Sequence, residues 1–284
     1  MSFVRFTVSV KANRNLSVSG AIGVNHGLID GFMTSASGEI NIDSDKGFYV
    51  GSTVGSNYGT MKNVNQSGRG GSVYVTLARS LNCNIGSFAG YNAGRIEHCF
   101  SERAITINLS QGDNVYLENS VLLGGFAGKN DGVIENSLTL YGYLDYNVSN
   151  ITLLGEKGLY LTFYSEMSRY IIYAVGSDSQ GPTYTTKCVI YLDEKAQKTG
   201  STEYEEYTLS EFRKAHPAEA AKIDALRGCI VFDAFVSVNN GKTDNCFVVP
   251  GVGTGNGVEL VSGCGFDELK WNFLLRLHST VYEP

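Results

Sequence analysis

Proline occurs only four times in 284 residues, tryptophan once, and charged side chains make up just 18% of the chain. So little charge beside 43% apolar residues excludes a disordered tail, which is polar and strongly charged. No run of about 18 apolar residues occurs, so no membrane-spanning helix is expected. The opening MSFVRFTVSVKANRN alternates apolar and polar residues and lacks the apolar stretch of a secretory leader. Lys and Arg number 22 against 28 Asp and Glu, scattered singly, for a formal charge of -6. Without a basic stripe to follow a phosphate backbone, nucleic acid is not an expected partner. The six cysteines, Cys83, Cys99, Cys188, Cys229, Cys246 and Cys264, form no C-x-x-C pair and have no His at zinc spacing. They predict no metal site and no cofactor, and read as small buried hydrophobes with free thiols.

What is abundant is glycine, at 34, with 17 tyrosines and 14 phenylalanines, a composition that reads as a turn-rich β protein. One pattern recurs four times: SGAIGVNHGLIDGF (19–32), GSTVGSNYGTMKNV (51–64), GSFAGYNAGRIEHC (86–99) and GGFAGKNDGVIENS (124–137). Its fixed columns are Gly23, Gly55, Gly90 and Gly128; Asn25, Asn57, Asn92 and Asn130; and Gly27, Gly59, Gly94 and Gly132. A large apolar residue follows two positions on, at Ile29, Met61, Ile96 and Ile134. Offsets of 32, 35 and 38 residues, with no 3.6-residue periodicity inside, exclude helical repeats and favour a solenoid of strands. The short alternating runs GEINID, SVYVTL, AITINL and NVYLEN supply further strands in each unit. Each unit is expected to be one coil of an all-β, right-handed parallel β-helix. The glycines would serve a corner by adopting positive φ and by allowing close backbone approach, and the asparagines would stack as a hydrogen-bonded ladder.

The third and fourth copies resemble the GLUG motif, a Gly-rich repeat of the form GG-Φ-Φ-G-x-N-x-G-x-I-x-N-C/S with Φ apolar. In the first two copies Ala21 and Thr53 depart from the apolar doublet. The resemblance covers residues 18 to 150. The family occurs in large surface or secreted bacterial proteins, including adhesin-like proteins and non-catalytic regions of streptococcal IgA proteases. It implies β-helical rungs, an extracellular or cell-surface location and no catalytic residue.

Residues 1–150 therefore read as a β-solenoid of four coils. After Asn150 the signature stops, and 151–284 reads either as degenerate solenoid ending in a cap or as a small α+β domain. This half is more irregular and carries one or two short helices. Thr208 and Glu211 form a capping box, Pro217 starts a second helix and Gly228 ends it. CIVFDAFVSV and CFVVP read as buried strands, and FDELKWNFLLRLHS as a helix capped by Asp267.

Little in the chain points to catalysis. His98 and Cys99, as neighbours on a strand, would face opposite ways and form no nucleophile pair. Asp30, Glu97 and Glu135 share a column, with Lys62 at the second coil's position. Such outward acids suit calcium, or acid/base work on a polysaccharide, but also a plain solvated face paired through Lys62. Tyr58, Tyr91, Tyr141, Tyr143, Tyr146, Tyr160 and Tyr164 beside Asn and Asp suit a carbohydrate platform. The leading expectation is a non-enzymatic, structural or adhesive segment whose partner is a glycan or host surface protein. The alternatives are a polysaccharide-active β-helix enzyme or phage-type spike, and a homo-oligomer that assembles end to end into filaments.

Overall fold

A computed structural model describes residues 4–34, 36–44, 46–66, 73–77, 82–102, 105–109, 121–139, 145–164, 167–248 and 259–262. The chain is a parallel β-solenoid. Each repeat forms one winding of five short strands, and equivalent strands of successive windings pair in parallel. In the order visited, sheet 1 holds Val4–Ala12, Ala36–Ser44, Val73–Leu77, Ile105–Leu109 and Asp145–Leu153. Sheet 2 holds Leu16–Ser19, Phe48–Gly51, Cys83–Gly86, Val121–Gly124 and Ile230–Asp233. Sheet 3 holds Ile22–Asn25, Val54–Asn57, Ala89–Asn92, Ala127–Asn130 and Val236–Asn239. Sheet 4 holds Leu28–Asp30, Thr60–Lys62, Arg95–Glu97, Val133–Glu135 and Lys242–Asp244. Sheet 5 holds Met33–Thr34, Asn65–Gln66, Phe100–Ser101, Leu138–Thr139 and Cys246–Val248, with Glu259–Ser262 added antiparallel to the last.

The alternating runs place their apolar residues inside, as a two-residue period requires. Ile40, Val75 and Ile107 share one inward column of sheet 1 and are fully buried or nearly so. NVYLEN lies outside the described residues. Across the interior, Phe88, Phe126 and Phe235 stack ring on ring at 4.8 and 4.9 Å. Thr53 precedes them in the same column, which explains the weaker motif there: the aromatic file begins only at the third winding.

The motif itself spans sheet 3, the next corner and sheet 4. Asn25 donates from Nδ2 to Asn57 Oδ1 at 2.8 Å, Asn57 to Asn92 at 2.8 Å, and Asn92 to Asn130 at 2.7 Å. Asn57, Asn92 and Asn130 are fully buried. Each Nδ2 also reaches the carbonyl of the motif glycine two residues on. The ladder runs one way, every amide donating to the following winding.

The motif glycines differ from expectation in one respect: none has positive φ. Their role is close approach alone. A Cβ on Gly94 or Gly132 would overlap the carbonyl oxygen of the equivalent glycine one winding earlier. The left-handed corner instead lies at Gly31, Asn63, His98, Asn136 and Asn245, with φ of 72°, 52°, 51°, 49° and 56°. Asparagine and glycine tolerate that region best, and four of the five positions use them.

Beyond Asn150 the solenoid does not end. Asp145–Leu153 opens a fifth winding by pairing with Ile105–Leu109, and the chain then leaves the coil between Leu153 and Ile230. There Glu156–Tyr164, Arg169–Asp178 and Gly181–Tyr191 extend sheet 1 antiparallel, and Glu205–Thr208 adds a parallel strand. Helices α1 (Leu209–Ala215) and α2 (Pro217–Cys229) follow. Thr208 and Glu211 form the capping box at the start of α1. Helix α2 runs one residue past Gly228, since the amide of Ile230 closes the last turn on the Arg227 carbonyl. Phe212, Ile223 and Leu226 join the same buried cluster as sheets 1 and 2. The winding then resumes at Ile230, and Asn130 Nδ2 donates to Asn239 Oδ1 at 2.8 Å across 109 residues. DAFVSVNNGKTDNC is thus a fifth copy of the motif, with Ser237 and Thr243 in place of the first Gly and the Ile. The segment FDELKWNFLLRLHS lies outside the described residues, as does Cys264.

Close approach makes the same substitution costly in one winding and tolerable in another. Gly94→Ala is expected to lose about 1–3 kcal/mol or more in urea unfolding, as overpacking does. Gly27→Ala, whose Cβ would meet nothing within 4 Å, should stay within about 0.5 kcal/mol of the parent. Equal losses at both positions would contradict this account of the glycine column.

Candidate functional site

Parallel registration turns each outward sequence position into a file of side chains along the solenoid. On sheet 4, Asp30, Lys62, Glu97, Glu135 and Asp244 form one such file. It is knitted by cations. Lys62 Nζ lies 3.1 Å from Glu97, Arg95 bridges Glu97 at 3.4 Å and also Glu135, and Lys242 pairs with Asp244 at 2.9 Å. Asp30 accepts from Asn63 Nδ2 at 2.7 Å. Burial pushes the Glu97 carboxyl up, but the hydrogen bonds and charges of Lys62 and Arg95 outweigh it and hold the group below its ordinary value. A glycoside-cleaving general acid needs the opposite shift. Among the described residues no group of three or more His, Cys, Asp or Glu is placed to hold a metal ion.

In the Glu97–His98–Cys99 triplet, Cys99 is fully buried. His98 is not on a strand but at the left-handed corner, where Nδ1 lies 3.3 Å from Glu97. Cys99 points inward to the carbonyls of Met61 and Glu97, and burial pushes its thiol up to about 12. Cys83, Cys188, Cys229 and Cys246 are also buried free thiols.

A different grouping forms where the outer faces of sheets 2 and 3 turn toward each other. Ser17 on sheet 2 hydrogen-bonds Ser56 on sheet 3 at 2.6 Å, and one winding on Tyr49 stacks on Tyr91 at 4.9 Å. Tyr58 meets Tyr91 edge-on at 5.8 Å, and His26 stacks on Tyr58 at 5.0 Å. The rings thus run across the first three windings. The fourth and fifth continue the stripe with polar groups. Tyr91 donates its hydroxyl to Asp131 at 2.8 Å, Lys129 Nζ lies 3.1 Å from the same carboxylate, and Asn240 Nδ2 donates to it at 2.8 Å. Lys129 also stands 5.8 Å from the centroid of the Tyr91 ring. Burial and the bond to Asp131 push the Tyr91 hydroxyl up to about 12. Burial raises the Asp131 carboxyl, but Asn240, Tyr91 and Lys129 outweigh it and hold the group low. Tyr58 is 46% exposed, so the stripe offers an aromatic surface to solvent beside a fixed charge pair.

Of the other tyrosines singled out by sequence, Tyr146 is buried. Tyr160 stacks on Tyr173 at 5.7 Å on the extension of sheet 1, Tyr164 is half-buried, and Tyr141 and Tyr143 lie outside the described residues. Tyr49 and Asn240 carry no mark in the sequence, and His26 reads there as an isolated histidine with no ligand role. Only the winding offset, applied to the variable positions within and beside each motif, aligns them. No helix among the described residues is long and apolar enough to cross a membrane.

Because the Glu97 carboxyl is depressed in the fold, its contribution is fully present above the unfolded value of about 4.3 and is lost as pH falls through the folded value. Glu97→Gln should therefore lower stability at pH 7 by about 1 kcal/mol. Thermal melts across a pH series should show that difference shrinking below about pH 4. A difference that grows on acidification would contradict the ion-pair reading.

No protein-family model, no curated protein and no solved structure matches the chain.

Proposed function

We propose that the protein is a non-enzymatic β-solenoid segment of a surface or secreted protein, and that the stripe on sheets 2 and 3 binds glycan. The observation that carries the reading is the ring series His26, Tyr58, Tyr91 and Tyr49 merging with Asp131, Lys129 and Asn240. Sugars present apolar faces ringed by hydroxyls, and a surface that pairs flat aromatic rings with fixed hydrogen-bonding groups complements both. Support also comes from rigidity: the stripe stands on strands locked by the buried asparagine ladder, so little ordering is needed on binding. The resemblance of GSFAGYNAGRIEHC and GGFAGKNDGVIENS to the GLUG repeat points the same way, toward an adhesive role at a cell surface.

The polysaccharide-cleaving alternative is less well supported. Its best sequence candidates, the carboxylates of sheet 4, are engaged by Lys62, Arg95 and Lys242.

A glycan array probed with the full chain is expected to return a bound oligosaccharide and no new reducing ends. Tyr58→Ala should weaken that binding roughly tenfold or more while leaving the melting temperature nearly unchanged, because the ring is nearly half exposed and lies outside the buried core. An array without hits, wild-type affinity in Tyr58→Ala, or release of reducing ends would each overturn the reading.

A further inference from the structure

The extension that interrupts the fifth winding meets the solenoid around an open cleft of about 490 Å³, between α2 and the strands of sheets 1 and 2. That is the size of a small-molecule site. Tyr146, Phe163 and Tyr170 form one wall, with ring centroids 4.9 to 6.2 Å apart, and Phe232, 41% exposed, stands in the lining. These residues come from three strands of sheet 1 and one of sheet 2, so the cleft exists only because the chain left the coil and returned.

Two polar features sit in this aromatic lining. The hydroxyls of Tyr146 and Tyr170 lie 2.7 Å apart and share one hydrogen bond. Two hydroxyls carry two protons, and one bond uses only one of them. The second has no acceptor among the described residues, although the two side chains are 4% and 1% exposed. The other feature is Arg227. Its neighbour Asp224 is held by both Nε and Nη2 of Arg213, at 3.2 and 2.8 Å. Arg227 Nη1 reaches the same carboxylate only at 3.6 Å. Arg227 thus keeps guanidinium N–H groups that the Asp224 carboxylate does not take up, and the side chain stands in the cleft lining.

We propose that this cleft binds a small, flat aromatic carboxylate. Its carboxylate would lie on Arg227, its ring against Phe163, Tyr170 and Phe232, and an oxygen at its far end would accept the spare tyrosine proton. One cation matches one carboxylate, whereas a phosphate would call for more donors than this lining offers. The ring-built walls favour a planar apolar body over a sugar. The site is separate from the stripe on sheets 2 and 3, so either can fail without the other.

The probe is 4-hydroxybenzoate, titrated calorimetrically into the full chain at low salt beside neutral 4-hydroxybenzyl alcohol and cationic 4-hydroxybenzylamine. The acid should bind saturably, the alcohol roughly tenfold more weakly and the amine more weakly still. Arg227→Gln, at a half-exposed position, should keep the parental melting temperature and bring the acid down to the alcohol's affinity without altering the alcohol. Phe232→Ala should weaken acid and alcohol alike. Absence of saturable binding up to about 10 mM acid would overturn the proposal. So would equal affinity for all three probes, which needs no variant to read, or an acid affinity unchanged in Arg227→Gln.

Discussion

The structure depends on how closely one winding can lie upon the next at the corner between sheets 3 and 4. A buried amide costs stability unless both its donor and its acceptor are satisfied. Asn57, Asn92 and Asn130 achieve this by bonding to one another, which fixes the vertical spacing of the coils and their register together. At that spacing the backbones nearly touch, and a side chain on Gly59, Gly94 or Gly132 would occupy the space of a carbonyl oxygen below it. Asparagine and glycine are therefore one device: the amide sets the distance, and the missing Cβ makes that distance reachable.

Register fixed in the core becomes geometry at the surface. The offsets between successive motifs differ, at 32, 35 and 38 residues, yet the ladder returns each Asn to the same file. Residues flanking the motif are thereby aligned whatever their chemistry. On sheet 4 this yields a file of acids held by Lys62, Arg95 and Lys242, and across sheets 2 and 3 it yields rings that stack. The same tolerance permits the long excursion between Leu153 and Ile230. Asn239 still finds Asn130 on return, and the excursion brings its own apolar residues into the shared core.

The repeat was legible because stacking identical side chains demands the same residue at every level, so the physics writes itself as an invariant column. The alternating strands and the capping box at Thr208 were legible for the equally local reasons of two-residue period and hydrogen-bond reach. The fifth winding was not. Near the end of the stack Ser237 can replace glycine and Thr243 can replace isoleucine, while Phe235, Val236, Asn239, Gly241, Asn245 and Cys246 retain the pattern. The left-handed corner escaped notice because its file reads Gly, Asn, His, Asn, Asn rather than one repeated type. Tyrosine abundance hinted at a binding face, but which rings meet is set by register: Tyr58 and Tyr91 join the stripe, while Tyr146 is drawn into the core. The cleft beside α2 draws on residues far apart in the chain and leaves no local trace.

The side-chain amide protons of the ladder report most directly on this arrangement. Hydrogen exchange of assigned Asn Nδ2 groups, followed by nuclear magnetic resonance, should show Asn57, Asn92 and Asn130 protected to nearly the depth of the neighbouring strand amides. Exposed Asn240 should exchange rapidly. Exchange of the three ladder amides as fast as that of Asn240 would contradict a stacked solenoid.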